Sequence, residues 1–176
     1  MNRGKQRPLQ IDIRIDAQCW RNIGKIKSTL RRAIGEAAAA LPRAAPSTSG
    51  AELAIVLTDD WAIRLLNRQW RGKDAATNVL SFPAKNHRDR EPHVLDRPPH
   101  VLGDIVLAHE TICREAAAED KPLLHHLAHL AVHGFLHLVG YDHVRDRDAE
   151  AMQQAERKIL RRLAVPDPYR QQRLAR

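Results

Sequence analysis

The chain has 176 residues, enough for about one domain, with 43% apolar and only 4% aromatic residues. No apolar run approaches the roughly eighteen residues of a membrane span, and the basic stretch Met1–Pro8 leads into no apolar segment of a signal peptide. Two cysteines, Cys19 and Cys113, exclude a disulfide scaffold and fit a cytosolic chain with free thiols; neither has a metal-ligand neighbour in sequence. The net charge of +8 is unevenly spread. Residues 1–43 hold ten Lys/Arg against three acids, residues 44–143 ten against thirteen, and residues 144–176 nine against five. Basic ends around a slightly acidic centre suit either a polyanionic partner or ordinary solvated faces.

Leu9, Ile11, Ile13 and Ile15 alternate with polar residues and predict a half-buried strand. A helix is expected from about Trp20 to Leu41, stopped by Pro42, its Arg21, Lys25 and Arg32 either solvated or tracking a phosphate backbone. Ala44–Gly50 reads as a loop and Glu52–Leu57 as a short strand. Thr58 is the expected N-cap of a helix to about Trp70, with Asp59 and Asp60 in its first turn. Val79–Phe82 reads as a strand. Residues 83–100, with four prolines and no periodicity, read as an exposed loop in which His87, His93 and His100 are solvated.

Val101–Leu107 is expected as a strand interrupted at Gly103-Asp104, followed by a helix from His109 to Glu119. Pro122 suits the opening of the next helix, where its missing N–H is no loss. A last helix is expected over Asp146–Leu163, and from Pro166 the chain reads as a basic, mobile tail. There is no internal repeat and no second core. The expectation is a single α+β domain over residues 1–165, a small mixed sheet packed with helices, with residues 166–176 as the tail.

The chemistry concentrates in His133-Gly134-Phe135-Leu136-His137-Leu138-Val139-Gly140-Tyr141-Asp142-His143. On a helix, His133 and His137 lie about 5.4 Å apart along the axis on one face. Gly140 can then end the helix in a left-handed cap and let His143 turn back to the same point. Three neutral imidazoles suit a divalent transition metal, with Zn2+ as the expected ion, and leave a fourth position open as in a catalytic site. The competing reading is a His-rich amphipathic helix, since His125 and His129 share the face. Of these, His125 and His126 read as surface residues, and His129 as a core residue or a partner of the ligands. Zinc proteases with H-E-x-x-H carry a Glu at the second position; here it is Gly134, which weakens a peptidase reading while leaving hydrolysis open.

Two further segments accompany this one: Arg71-Gly72-Lys73-Asp74-Ala75-Ala76-Thr77-Asn78-Val79-Leu80-Ser81-Phe82-Pro83 and Leu102-Gly103-Asp104-Ile105-Val106. In this order the three resemble the YbeY family of bacterial endoribonucleases, over roughly Glu52–Leu163. The resemblance implies a zincin-like fold around the His site. It implies a metal-dependent endonuclease of single-stranded RNA, acting in the cytoplasm on ribosomal RNA, chiefly the small-subunit 3′ end, and in ribosome quality control. It places the metal ligands on His133, His137 and His143 and a catalytic arginine on Arg71. Ala76 departs from the family's usual Pro.

By spacing alone Arg71 reads as a salt-bridge partner of Asp74 or Glu52; the resemblance turns the reading to a catalytic group, whose planar donor fork would grip phosphate. Asp142 either orients an imidazole or caps the turn after Gly140. Asp104 is a turn residue beside Gly103 or a positioning group. Asn78 and Ser81 are substrate contacts or turn and strand-end residues. No general base is evident. Two other classes stay open: a zinc metallopeptidase, and a non-catalytic RNA-binding ribosome assembly factor with a structural metal.

Overall fold

The computed structural model describes residues 8–41, 48–84 and 100–170. Strands β1 (Gln10–Ile15), β2 (Ala51–Thr58), β3 (Val79–Pro83) and β4 (His100–Ala108) form one sheet in the order β1-β2-β4-β3. β1, β2 and β4 run parallel and β3 is antiparallel to β4. Five α-helices surround it among the described residues: α1 (Ile26–Ala40), α2 (Asp60–Arg71), α3 (His109–Ala118), α4 (Leu123–Leu138) and α5 (Asp146–Arg162). This is the expected single α+β arrangement with a mixed sheet.

The period-two pattern decides which face each helix covers. Leu53, Ile55, Leu57, Ile105 and Leu107 point to one face and pack with Leu30 and Ile34 of α1, Val132 and Phe135 of α4, and Ile159 and Leu160 of α5. Val106, Ala108 and Leu80 point to the other, where Ile63 of α2 packs on them. The sheet therefore separates α2 from α4.

Several boundaries differ from the sequence expectation, each for a local reason. The first helix starts at Ile26, not Trp20, because Lys25 takes a left-handed φ of 63°. Residues Gln18–Trp20 form a 3-10 turn, in which the buried Trp20 donates its indole N–H to Thr58 O at 2.7 Å. Thr58 thus stays in β2, and Asp59 caps α2 instead, accepting from Ala62 N at 2.8 Å.

β4 is not interrupted at Gly103-Asp104. It is continuous, with a bulge that makes Leu53 pair with Gly103 after Glu52 pairs with Val101. Gly103 has φ 134°, and a Cβ there would lie 2.2 Å from Phe82 O, so no other residue fits. The expected loop at 83–100 is strand at both ends, Pro83 and His100. His87 and His93 lie outside the described residues; His100 is exposed.

The stretch expected as a mobile tail is fixed at its start. Tyr169 is partly buried and donates its hydroxyl to Glu156 of α5, while its ring meets His129 edge-on at 6.0 Å. Residues 171–176 lie outside the described residues.

Candidate metal centre

The helix carrying the first two imidazoles is apolar almost all round, with Leu127, Ala131, Phe135 and Leu138 in the core. Gly134 is what lets it lie so close to the sheet. A Cβ at this position would sit 3.0 Å from Ser81 Oγ and 3.1 Å from Ile105 Cγ2. Position 134 thus faces β3 and β4, and a glutamate there would have to displace the sheet. The missing protease carboxylate has a packing reason as well as a chemical consequence.

The end of α4 is a Schellman turn. Gly140 has φ 95°, its N–H donates to His137 O at 3.1 Å, and Tyr141 N–H donates to Leu136 O at 3.0 Å. The chain reverses as the sequence predicts and delivers His143 beside the other two rings. Ring centroids are 4.7 Å apart for His133 and His137, 5.0 Å for His137 and His143, and 5.6 Å for His133 and His143. One ligand nitrogen from each lies within 4.8 Å of the others.

Tautomers are set by the atoms behind the rings. His133 Nδ1–H donates to Glu156 Oε1 at 2.7 Å, and His137 Nδ1–H donates to Tyr141 O at 3.0 Å. A carboxylate and a carbonyl can only accept, so both Nε2 atoms keep bare lone pairs. These two Nε2 atoms stand 3.2 Å apart. Two bare lone pairs at that distance repel, whereas ligands around a tetrahedral Zn2+ with Zn–N near 2.05 Å sit about 3.3 Å apart. The residues present therefore fit a divalent metal. Burial, then the His133 and His143 rings, push the His137 pKa below the usual imidazole value, which keeps the ring neutral as a ligand must be.

Glu156 is the residue that sequence reasoning missed. It is fully buried in α5. Burial raises its carboxyl pKa, but the His129 and His133 rings and the Tyr169 hydroxyl together outweigh this and hold it at about 2. One oxygen takes His133 and the other takes Tyr169, so the group orients a ligand instead of standing free as a base. The signal was present: the buried stripe Met152, Ile159, Leu160 and Leu163 has a carboxylate inside it, at Glu156. A charge in an apolar stripe calls for a partner.

The other expected residues divide clearly. His129 Nε2 lies 3.9 Å from Glu156 Oε2, beyond hydrogen-bond reach, so it acts on the carboxylate through space. His126 is not a surface residue: it is buried and donates Nε2–H to Glu115 Oε2 at 2.8 Å. His125 is half-buried, with Nδ1 shielded from solvent and unpaired. Asn78 donates to the same Glu115 at 3.0 Å, tying β3 to α3 and α4. Asp142 accepts the N–H of His143 at 2.7 Å, the turn-capping role rather than an imidazole contact. Asp104 pairs with Phe82 and Ala54 on the face that α2 shares, away from α4. Arg71 is the last residue of α2. It is exposed and has no ion pair among the described residues, because Arg64 takes Asp74 at 2.7 and 3.0 Å. Cys19, thought to lack metal-ligand neighbours, lies beside His109 and Glu110.

Residues 15–164 match the family described as Endoribonuclease YbeY. The chain belongs to the YbeY endoribonuclease family. The match reaches back from the recognised motifs through α1, so the basic first helix is part of the family's domain. An Endoribonuclease YbeY of Rhodopseudomonas palustris (strain BisA53) is 53% identical over 94% of this chain and 92% of its own length. One from Nitrobacter winogradskyi is 52% identical over 90% of this chain and 80% of its own. The solution structure of TM1509 from Thermotoga maritima resembles the fold with a TM-score of 0.54, at 22% identity, over 86% of this chain and 87% of that one. No helix among the described residues is long and apolar enough to cross a membrane.

Proposed function

We propose that this chain is a zinc-dependent endoribonuclease that cuts single-stranded RNA during ribosomal RNA maturation, at the 3′ end of the small-subunit RNA, in the cytoplasm. His133, His137 and His143 hold the ion in this reading, and Arg71 binds the phosphate. The observation that carries it is the pair of bare Nε2 atoms 3.2 Å apart, each ring locked from behind, in a chain of the YbeY family. When bound, the metal supplies a Lewis acid for the phosphoryl oxygens and lowers the pKa of nearby water.

The protein's own part is orientation. Glu156 and the Tyr141 carbonyl fix two imidazoles so that only Nε2 can bind. The exposed His143 leaves the third side open to substrate. The exposed Arg71 is free to form two parallel hydrogen bonds to a phosphate. Position 134 contributes no carboxylate, which separates this site from that of a peptidase.

The test uses the purified full chain, a single-stranded RNA oligonucleotide and its duplex. Cleavage of the single strand alone, lost on chelation and in His133→Ala, is expected. Equal cleavage by wild type and His133→Ala would sink the reading. Arg71→Lys should keep zinc content and slow cleavage by about ten- to a hundredfold, since a point charge replaces the fork. Undiminished cleavage by Arg71→Lys would remove Arg71 from the site without touching the metal.

A further inference from the structure

A second cluster of metal-ligand side chains lies over the carboxyl ends of the parallel strands. Cys19 follows β1, and His109 and Glu110 follow β4, with the end of β2 between them. One ligand atom from each of the three lies within 4.8 Å of the others. Cys113, one turn along α3, places its sulfur 3.6 Å from His109 Nε2. The carboxyl ends of parallel strands are where such sheets bind ligands, because the connections there diverge.

The frame around the cluster is rigid. Trp20, next to Cys19, is anchored on Thr58 O and meets the His109 ring edge-on at 5.0 Å. Glu110 Oε2 accepts the N–H of Asp60 at 2.9 Å, which leaves its other oxygen available. Asp60 in turn accepts from Thr111, locking α2 to α3. Inside the cluster, by contrast, the Cys113 Sγ–His109 Nε2 contact stands beside an unpaired ring nitrogen. His109 Nδ1 is shielded from solvent and has no partner, and both thiols are free. Burial raises both thiol pKa values, and the Glu110 carboxylate raises each further. Two thiols and an imidazole around an anionic carboxylate lack only a positive charge, and a bound divalent cation would convert the thiols to thiolate ligands.

We infer that Cys19, His109 and Glu110, joined by Cys113, form a second zinc site that clips the turn after β1 to the start of α3. The sulfur ligands favour zinc over a hard cation such as Mg2+. The side chains of Cys19 and Glu110 are exposed, so they can settle onto tetrahedral edges of about 3.3–3.8 Å as the ion binds. The site stands apart from the His triad and holds whether or not that triad cuts RNA.

The experiment titrates zinc against the full-length, metal-stripped protein. It reads stoichiometry against a chelating dye and the rate at which a thiol reagent labels the cysteines. Wild type should bind two ions, and His143→Ala, Cys19→Ser and their double variant one, one and none. Cys113→Ser should weaken the second site by about tenfold, as for loss of a supporting ligand. In His143→Ala, zinc should raise the melting temperature and slow labelling of both thiols, and neither effect should survive Cys19→Ser. Undiminished stoichiometry in Cys19→Ser, or thiol labelling indifferent to zinc, overturns the second site. A single ion lost with His143→Ala overturns it and leaves the triad standing. A single ion lost with Cys19→Ser upholds it and removes the triad.

Discussion

In the triad, His133 and His137 each rest their Nδ1 on a fixed acceptor, whereas His109 in the cysteine cluster has a buried Nδ1 with nothing on it. In the triad two Nε2 atoms already stand 3.2 Å apart; in the cluster Cys113 Sγ and His109 Nε2 stand 3.6 Å apart. The difference is in what lies behind the ligands. The triad draws on a buried carboxylate and a helix-ending turn, both built into the core. The cluster has a rigid rim but no acceptor to select a tautomer. Preorganisation here is a property of the atoms one layer out from the ligands.

The sharpest way to break that contrast is Glu156→Ala. It removes the acceptor behind His133 and the partner of Tyr169, and leaves both partly buried donors without that partner. Expected are about 3 kcal/mol of lost stability, read by denaturant unfolding, and zinc affinity at the triad down by about 10–100-fold. The cysteine cluster should bind as before. Unchanged affinity at the triad would mean that the Nε2 pair is set by helix geometry alone.

Gly134→Ala tests that geometry. The new Cβ would press on Ser81 Oγ and Ile105 Cγ2, so α4 must shift by a few tenths of an ångström or β3 must give. An overpacking cost of about 1–3 kcal/mol is expected, with weaker zinc binding at the triad, measured by thermal unfolding and competition titration. A gain in stability, as an ordinary helical Gly→Ala would give, contradicts close packing at this position.

Acid should destabilise the metal-free protein through the triad and its buried carboxylate. The pKa of His137 is lowered on folding and that of Glu156 falls to about 2, so both bind fewer protons folded than unfolded. Stability from both is present at neutral pH and is lost as pH falls. The His137 share goes below the ordinary imidazole value of about 6.5, and the Glu156 share between about 4.3 and its folded value. Melting temperatures of chelator-treated wild type should therefore decline from pH 7 to pH 3, and less steeply in His137→Ala. A flat wild-type profile would contradict both shifts.

The convergence of the three imidazoles was legible in the sequence because the rings, their helix and its turn all fall within Gly140's immediate neighbourhood, where spacing translates directly into geometry. Local rules also placed all four strands and α2 to α5 to within a residue or two. What spacing could not show were meetings across the fold. Glu156 reaches His133 from another helix, and Cys19 reaches His109 only because β1 and β4 flank β2. Trp20 broke the expected first helix for the same reason: its indole is claimed by the end of β2. His126 looked solvated because Glu115, its partner, sits on a different helix. Asp74 looked available to Arg71 in sequence, but on the folded helix it falls to Arg64.

Tyr169→Phe makes the smallest of these changes and isolates the anchoring of Glu156 from its presence. It removes one hydroxyl outside the family match at 15–164 and keeps the ring against His129. Glu156 Oε2 then loses its donor in a buried position, which should cost about 1–2 kcal/mol and free the carboxylate to turn. If the Glu156–Tyr169 contact fixes the rotamer that holds His133, zinc affinity at the triad should fall by severalfold while zinc at the cysteine cluster stays constant. If stability falls and affinity does not, His133 holds the carboxylate in place by itself, and the tail residue serves packing alone. Either result locates where preorganisation ends: at the atom behind the ligand, or one hydrogen bond further out.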